Sequence, residues 1–397
     1  MDNLLALTVL CVIFAIGDLV SAKTKSIFSM LFVSSVILLI GFWVGLPTTI
    51  FDDAALLSIG GIMIAYLITH MGTLMSFKDL KDQWKTVVIA VGAVVGIGLF
   101  LFIVGAPLLG KEYAIAAAPP ISGGVVAAIM MGEAAKAKGL ESIAVFATLI
   151  VVIQGFFGYP VASILLSKEA RRLRDNYRKN KDSVSSQTAE EVSATATKSL
   201  GEKPKPIPPL PKHLQTPYIL LAKLGIVAVI GFQLAHLIND IINPYVMCLI
   251  VGVVGRELGF LEEDIMTKAN AFGLAMVSLM AIIFANLTQA TPEMLATLLW
   301  PLVGSLILGL IGIAITCSII GKLLGYSKEM AISIGVSALF GFPGTFIISN
   351  EVANAVGETE EEKDAILGEI LPKMLVSGFI TVTISSVVLA GVMVNLM

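Results

Sequence analysis

Apolar runs long enough to cross a bilayer recur along the whole chain, and short polar or charged stretches separate them. An α-helix crosses a hydrocarbon core about 30 Å thick with roughly 20 apolar residues. The first half contains six such runs, which are Leu4–Val20, Ile27–Leu46, Ala54–Met75, Thr86–Leu109, Tyr113–Met131 and Ser142–Leu166. The second half contains six more, which are Tyr218–His236, Ile242–Val254, Ala269–Leu287, Ala296–Ile319, Met330–Asn350 and Met374–Met397. This pattern predicts an all-α polytopic membrane protein.

The composition agrees with this prediction, because 56% of the 397 residues are hydrophobic and 14% are charged. These values exclude a soluble enzyme and make the lipid bilayer the main partner. The three cysteines each lie inside an apolar run, so no disulfide framework is expected. The chain contains no H-E-x-x-H motif, nucleophile elbow, phosphate loop or C-x-x-C pair. We therefore expect no enzymatic activity, no cofactor and no nucleic-acid partner.

Residues 167–217 differ from both flanks, because they carry 11 of the 26 Lys and Arg residues. A basic tract, a Ser/Thr/Glu stretch and the proline-rich segment KPKPIPPLPK follow one another. Such a composition predicts a solvated linker with extended proline conformation near its end. Lys and Arg concentrate on the cytoplasmic side of membrane proteins. We therefore place the linker in the cytoplasm and the protein in the bacterial cytoplasmic (inner) membrane.

The other basic loops conflict with twelve crossings. The loop at Lys23 and Lys25 and the basic loop after the third run share a side with the linker only if one run of the first half does not cross. The fifth run contains AAAPPISGGVVAA, whose prolines and glycines would break a helix. A re-entrant hairpin over residues 113–139 resolves the conflict. The segment LFGFPGT interrupts the eleventh run in the same way and predicts a second hairpin over residues 330–357.

Each half then has five transmembrane helices and one re-entrant hairpin, and an odd number of crossings gives the two halves opposite orientations. We therefore predict two inverted repeats, residues 1–166 and 218–397, with the N- and C-termini outside. A shared pattern, G-x9-E-x5-G, supports the repeat. Its members correspond at an offset of 218 residues, Gly123 with Gly341, Glu133 with Glu351, and Gly139 with Gly357.

Four segments together resemble the bacterial glutamate:sodium symporter family: PPISGG and FGFPG in the hairpins, GKLLGYSKEM before the second hairpin, and LPKMLVSGF opening the last helix. The resemblance implies a homodimer in which a scaffold from each protomer holds a mobile transport domain. It also implies Na⁺-coupled movement of an anionic amino acid by an elevator-type mechanism. The chain departs from the family pattern at VVAA (125–128) and at the added Phe342 and Pro343. These departures leave open a related carboxylate, another amino acid or an exchanged amine as substrate.

Helix breaks at membrane depth are tolerated where protein encloses them or where they line a watery cavity. The N-termini of broken helices attract an anion, and freed carbonyl groups suit Na⁺. We therefore expect a secondary active transporter that moves a small anionic or zwitterionic solute, a carboxylate or amino acid, coupled to Na⁺ or H⁺. A passive pore or a regulatory membrane protein of the same fold is the alternative.

The two breaks and their helical neighbours are the predicted site. The candidates for substrate binding are Ser122, Gly123, Gly124, Gln154, Gly341, Pro343, Gly344, Thr345 and Thr381. The candidate Na⁺ ligands offer carboxylate or amide oxygens, which hard cations prefer. They are Glu133, Asn350, Glu351 and Asn354. An alternative role for the small residues is to let helices pack closely.

Overall fold

The computed structural model describes residues 1–74, 81, 83–123, 125–187, 206–208, 210–239, 242 and 244–397. Helix accounts for 85% of the structure, and these residues contain no strand. The prediction of an all-α protein is therefore confirmed.

The first half of the chain forms nine α-helices within the described residues. They are α1 (Asn3–Lys23), α2 (Met30–Trp43), α3 (Ile50–Asp53), α4 (Leu56–Thr73), α5 (Trp84–Phe100), α6 (Ala106–Leu109), α7 (Lys111–Ile121), α8 (Val125–Ala137) and α9 (Glu141–Gln187). A π-helix, Leu101–Gly105, joins α5 to α6.

The second half forms nine more α-helices in its described part. They are α10 (Pro217–Leu237), α11 (Pro244–Leu258), α12 (Ile265–Lys268), α13 (Phe272–Ala285), α14 (Pro292–Leu324), α15 (Lys328–Val336), α16 (Gly341–Val356), α17 (Glu360–Ile380) and α18 (Ser386–Leu396). A second π-helix, Thr381–Ser385, joins α17 to α18. Short 3-10 helices occur at Lys212–Leu214, Asn286–Gln289 and Ser337–Leu339.

Polar side chains explain where several of these helices begin. An N-cap side chain accepts a hydrogen bond from an otherwise unpaired N–H group in the first helical turn. Asp2 caps α1 in this way, because its carboxylate accepts from the Leu5 N–H at 3.3 Å. The residues Ser29, Thr216, Thr291, Ser327 and Thr359 cap α2, α10, α14, α15 and α17. Short polar residues thus mark where these largely apolar helices begin.

Among the described residues, seven helices are long and apolar enough to cross a membrane. They are Asn3–Lys23, Leu56–Thr73, Trp84–Leu109, Glu141–Lys179, Pro217–Leu237, Phe272–Gln289 and Pro292–Leu324. These helices coincide with seven of the ten predicted crossings. The second and eighth runs give the shorter helices α2 and α11, and the twelfth run covers the end of α17, the second π-helix and α18. The chain is therefore a helical membrane protein.

Helix α9 continues well beyond the sixth apolar run. The predicted linker begins at residue 167, yet α9 is helical as far as Gln187, and Ser167 and Glu169 are buried. Residues 167–187 are therefore helical, and the buried Ser167 and Glu169 depart from the predicted solvated linker, whereas residues 171–179 are exposed or partly exposed. The physical reason is that Lys, Arg and Glu are good helix formers, and Glu169 accepts hydrogen bonds from Arg172 one turn later. Most of the remaining predicted linker lies outside the described residues.

The last long helix also begins earlier than predicted. The segment LPKMLVSGF does not open it, because α17 begins at Glu360 and Pro372 lies in its interior. Thr359 caps this helix, and its first turn is acidic, which suits the positive end of the helix dipole.

The chain divides into two compact units. Unit 1 comprises Met1–Asp53, Gln83–Arg174 and Phe284–Met397, and unit 2 comprises Ala54–Asp82 and Asp175–Ile283. Each unit draws on both halves of the sequence. This division therefore differs from the predicted repeats, each of which is one continuous half.

Within each unit, glycines let two helices approach closely. In unit 1, a Cβ added at Gly96 on α5 would lie 2.9 Å from the carbonyl oxygen of Gly312 on α14, and one added at Gly312 would lie 2.7 Å from the Gly96 oxygen. In unit 2, a Cβ added at Gly72 on α4 would lie 2.5 Å from the Leu249 oxygen on α11. Contacts between small residues are a common basis of helix packing in membranes.

Candidate functional site

The first predicted hairpin consists of α7 and α8, which are separated by a short break and pack against each other. Ser122 and Gly123 form the break, and Gly123 has a φ of +96°, which favours glycine. Pro119 and Pro120 were expected to interrupt the helix, but they lie in the last turn of α7. Gly124 lies outside the described residues.

The second predicted hairpin is interrupted between α15 and the regular part of α16. After the 3-10 helix Ser337–Leu339, Gly341 has a φ of +57° and Phe342 has a ψ of 137°, so neither continues a straight helix. Pro343 follows, and proline suits the first turn of a helix because its missing N–H group would be unpaired there. The regular part of α16 therefore begins directly at this break.

The two breaks lie against the same side chain, Val382, in the π-helix Thr381–Ser385. A Cβ added at Gly123 would lie 2.7 Å from the Val382 Cγ2 atom and would overlap the Ala338 carbonyl oxygen in the second break. A Cβ added at Gly341 would overlap the same Val382 methyl group. The structure thus brings both breaks to one place inside unit 1.

Two helices flank the second break. A Cβ added at Gly158 on α9 would lie 2.8 Å from the Leu339 Cβ atom, and one added at Gly378 on α17 would lie 2.9 Å from the Thr345 Cγ2 atom. Aromatic rings reinforce both contacts, Tyr159 with Phe340 at 5.1 Å and Phe342 with Phe379 at 5.3 Å between centroids. The tip of the second hairpin is therefore held between α9 and α17.

Two buried polar atoms of this region have no hydrogen-bond partner among the described residues, the Thr345 Oγ1 and the Gln154 Oε1. Thr345 is 0% exposed and Gln154 is 4% exposed. Gln154 lies one helical turn before Gly158, on the face of α9 that packs against the second break. A buried polar atom without a partner costs about 1–3 kcal/mol. Both atoms therefore favour binding of a polar group at this place.

The other predicted hydroxyl groups bond within their own helices. The Ser122 Oγ donates to the Pro119 oxygen at 2.6 Å, and the Thr381 Oγ1 donates to the Ser377 oxygen at 2.9 Å. Both side chains are buried. A hydroxyl that donates one hydrogen bond still has lone pairs to accept another, so both remain candidates for contact with a substrate N–H group.

The predicted Na⁺ ligands fall into two groups. Glu133 and Asn354 are exposed, whereas Asn350 and Glu351 are partly buried. The Asn350 amide donates to the Phe346 oxygen at 2.9 Å, which leaves its own oxygen available. The Glu351 carboxylate accepts hydrogen bonds from Ser21 in the last turn of α1 and from Met30 at the start of α2, two partners that the sequence analysis did not predict.

A buried pair of serines was also missed. The Ser337 Oγ donates to the Ser377 Oγ at 2.9 Å and so joins the second break to α17. The available signal was a small polar residue inside an apolar helix, because such residues often bond across helices. No sequence pattern indicated Val382, because its contact with both breaks depends on the π-helix in which it lies.

The candidate site therefore consists of the two helix breaks that contact Val382, the flanking helices α9 and α17, and the two polar atoms without a described partner. All of these residues belong to unit 1. In comparisons with known proteins, no family model and no curated protein matches this chain.

Proposed function

We propose that this chain is a secondary active transporter that moves a small carboxylate or amino acid across the membrane, coupled to Na⁺ or H⁺. The observation that carries the proposal is the convergence of both helix breaks on Val382, with the unpaired Thr345 oxygen just after the second break and the unpaired Gln154 oxygen one helical turn before Gly158. Discontinuous helices whose ends meet near the midplane are a recurring design of transporter substrate sites.

The chemistry at the breaks suits an amino acid. Helices α8 and α16 have 13 and 16 residues, and each begins at a break. Each therefore presents unpaired N–H groups and the positive end of a helix dipole, which attract a carboxylate. The Thr345 hydroxyl can donate to the same carboxylate, and the Gln154 oxygen can accept from an ammonium group. A zwitterion would satisfy both unpaired atoms.

We extend the proposal to the membrane arrangement of two inverted repeats, each with five crossings and one re-entrant hairpin. Loop charge supports it, and so does the composition of the compact units, because interleaved repeats give units that each draw on both halves of a chain. Unit 1 holds both hairpins and is the proposed transport domain of an elevator-type mechanism. Unit 2 is the proposed scaffold, and the resemblance to the symporter family extends this to a homodimer.

Cysteine labelling tests the hairpins. Single cysteines are introduced, in a background without the three native cysteines, at the exposed ends of the hairpins, Lys111 and Lys138 for the first and Lys328 and Glu358 for the second. We expect a membrane-impermeant thiol reagent to label both ends of the first hairpin only from outside and both ends of the second only from inside. Ends of one hairpin that react from opposite sides would show that the segment crosses the membrane.

Uptake into proteoliposomes tests the transport function. The purified protein is reconstituted, and labelled amino acids and dicarboxylates are supplied with an inward Na⁺ gradient, an inward proton gradient or neither. We expect one substrate to accumulate above its external concentration only when a gradient is present. Equilibration that is independent of every gradient would instead indicate a passive pore, and the absence of any flux would favour a regulatory protein.

A further inference from the structure

Glu351, on the second hairpin, accepts hydrogen bonds from the last turn of α1, from the loop that follows it and from the first residue of α2. Its Oε2 accepts from the Ser21 Oγ at 3.2 Å, and its Oε1 accepts from the Met30 N–H at 3.1 Å. The Ser26 hydroxyl donates to the Glu351 main-chain oxygen at 3.1 Å. Met30 is the first residue of α2, so the carboxylate lies at the positive end of that helix dipole.

No lysine or arginine of the described ranges forms an ion pair with this carboxylate. Glu351 is partly buried, and its partners Ser21 and Ser26 are 3% and 1% exposed. Removing a carboxylate from water without an opposite charge is costly. The partial charge of the α2 N-terminus offsets only part of this cost. The surroundings of Glu351 therefore favour a bound positive charge, which either a cation or a proton supplies.

More oxygen atoms gather around the same loop. The Ser163 hydroxyl of α9 donates to the Ser26 main-chain oxygen. The Ser34 Oγ, one turn after Met30 on α2, is buried without a partner in the described part of the chain. It lies beside Gly17, one turn before Ser21 on α1, where an added Cβ would be 2.5 Å away. The last carbonyl groups of α1 add partial negative charge. Carboxylate, hydroxyl and carbonyl oxygens are the ligands that Na⁺ takes in transporters.

We propose that Glu351, Ser21 and Ser26 form the binding site of the coupling Na⁺ ion, an assignment that rests on the transport function proposed above. The site joins α16 to the α1–α2 loop, two elements that are far apart in sequence. It differs from the set expected from sequence, because Glu133 and Asn354 are exposed and take no part in it.

Na⁺ at this site would steady the helix that carries the substrate site. Thr345 and Glu351 are six residues apart on α16, about 9 Å along the helix axis. An ion held between Glu351 and the serines ties α16 to α1 and α2, which fixes the start of α16 for a substrate. The ion also supplies the positive charge that accompanies a carboxylate into the membrane.

Binding of radioactive Na⁺ to the purified protein in detergent tests the assignment without any substrate. We expect saturable binding that excess unlabelled Na⁺ displaces and choline does not. Glu351→Gln is expected to weaken binding at least about tenfold, because a charged ligand is lost. Ser21→Ala, which keeps the carboxylate, is expected to weaken it about threefold. Glu112→Gln, which changes an exposed carboxylate on α7, is the matched control and is expected to bind as the wild type does.

Absence of saturable Na⁺ binding to the wild type, or an unchanged affinity in Glu351→Gln, would overturn the assignment. Melting temperatures measured without Na⁺ show whether each variant folds, and if Glu351→Gln does not fold, an unchanged affinity in Ser21→Ala overturns it instead. The uptake assay separates this inference from the proposed function. Na⁺-driven uptake that persists in Glu351→Gln would reject the ion site and keep the transporter, whereas Na⁺ binding without uptake of any solute would keep the site and reject transport.

Discussion

Replacing Thr345 with valine is expected to weaken uptake strongly and at the same time to stabilise the folded protein. The Thr345 hydroxyl is fully buried and has no partner among the described residues, so it costs about 1–3 kcal/mol in the protein without substrate. Valine has nearly the same shape and removes that cost. If the hydroxyl donates to the substrate carboxylate, its loss removes a hydrogen bond to a charged group, which is worth about 1.5–3 kcal/mol. Affinity for substrate should then fall roughly 10- to 100-fold.

Uptake into proteoliposomes and thermal unfolding of the same preparations measure the two effects. We expect Thr345→Val to raise the free energy of unfolding by about 1 kcal/mol, while Thr345→Ser, which keeps the hydroxyl, retains uptake. Thr148→Val is the matched control, because the Thr148 hydroxyl donates to the Ala144 oxygen of its own helix. Its removal should leave uptake near the wild-type rate. A Thr345→Val protein that transports as well as the wild type would exclude this hydroxyl from the site.

Replacing Gly72 with leucine is expected to unfold unit 2. An added Cβ at Gly72 would lie 2.5 Å from the Leu249 oxygen and 2.7 Å from the Val253 nitrogen, both of which are backbone atoms that cannot rotate away. Gly252, on α11, lies opposite Gly72, which is on α4, so the two backbones are already in close contact and leave no space for a side chain. Overpacking of a close contact costs typically 1–3 kcal/mol. A whole leucine side chain between two backbones should exceed that range, so we expect a loss of more than about 3 kcal/mol.

The same helix provides the control. Gly61 also lies on α4, and an added Cβ there would meet no atom within 4 Å. Gly61→Leu should therefore leave the melting temperature equal or higher, because leucine is the better helix former by about 0.8 kcal/mol. Size-exclusion profiles and melting curves of the two variants in detergent measure the difference. Equal stability of Gly72→Leu and Gly61→Leu would show that α4 and α11 do not approach as closely as the structure indicates.

The helix breaks could be predicted from sequence because glycine and proline act on the local backbone. Gly123 and Gly341 both have positive φ, which short-range patterns can indicate. The prolines were less informative, since Pro119, Pro120 and Pro372 are all accommodated inside helices. A helix can retain proline where neighbouring groups satisfy the freed carbonyl, and sequence alone does not show those neighbours.

The partners of Glu351 could not be predicted, because Ser21 lies 330 residues away in the chain. The pattern that suggested Glu351 was its correspondence with Glu133, yet the structure leaves Glu133 exposed and Glu351 partly buried. Positions that correspond in the predicted repeats therefore have different surroundings. The helical course of residues 167–187 was missed for a related reason, since a basic composition fits a solvated linker and a helix equally well.

The π-helix Thr381–Ser385 changes the rotational register of the last segment of the chain, so that the helices before and after it present different faces to their neighbours. Helix α17, before it, packs on α16 of the second predicted hairpin, and α18, after it, packs on α7 and α8 of the first predicted hairpin. A π-helix holds an extra residue relative to an α-helix, and each residue turns a helix by about 100°. Deleting one residue there would rotate α18 by that angle and move Ala390 and Met393 out of their buried positions. The extra residue of the π-helix thus lets α17 and α18, which follow one another in the chain, pack against different neighbours through differently oriented faces.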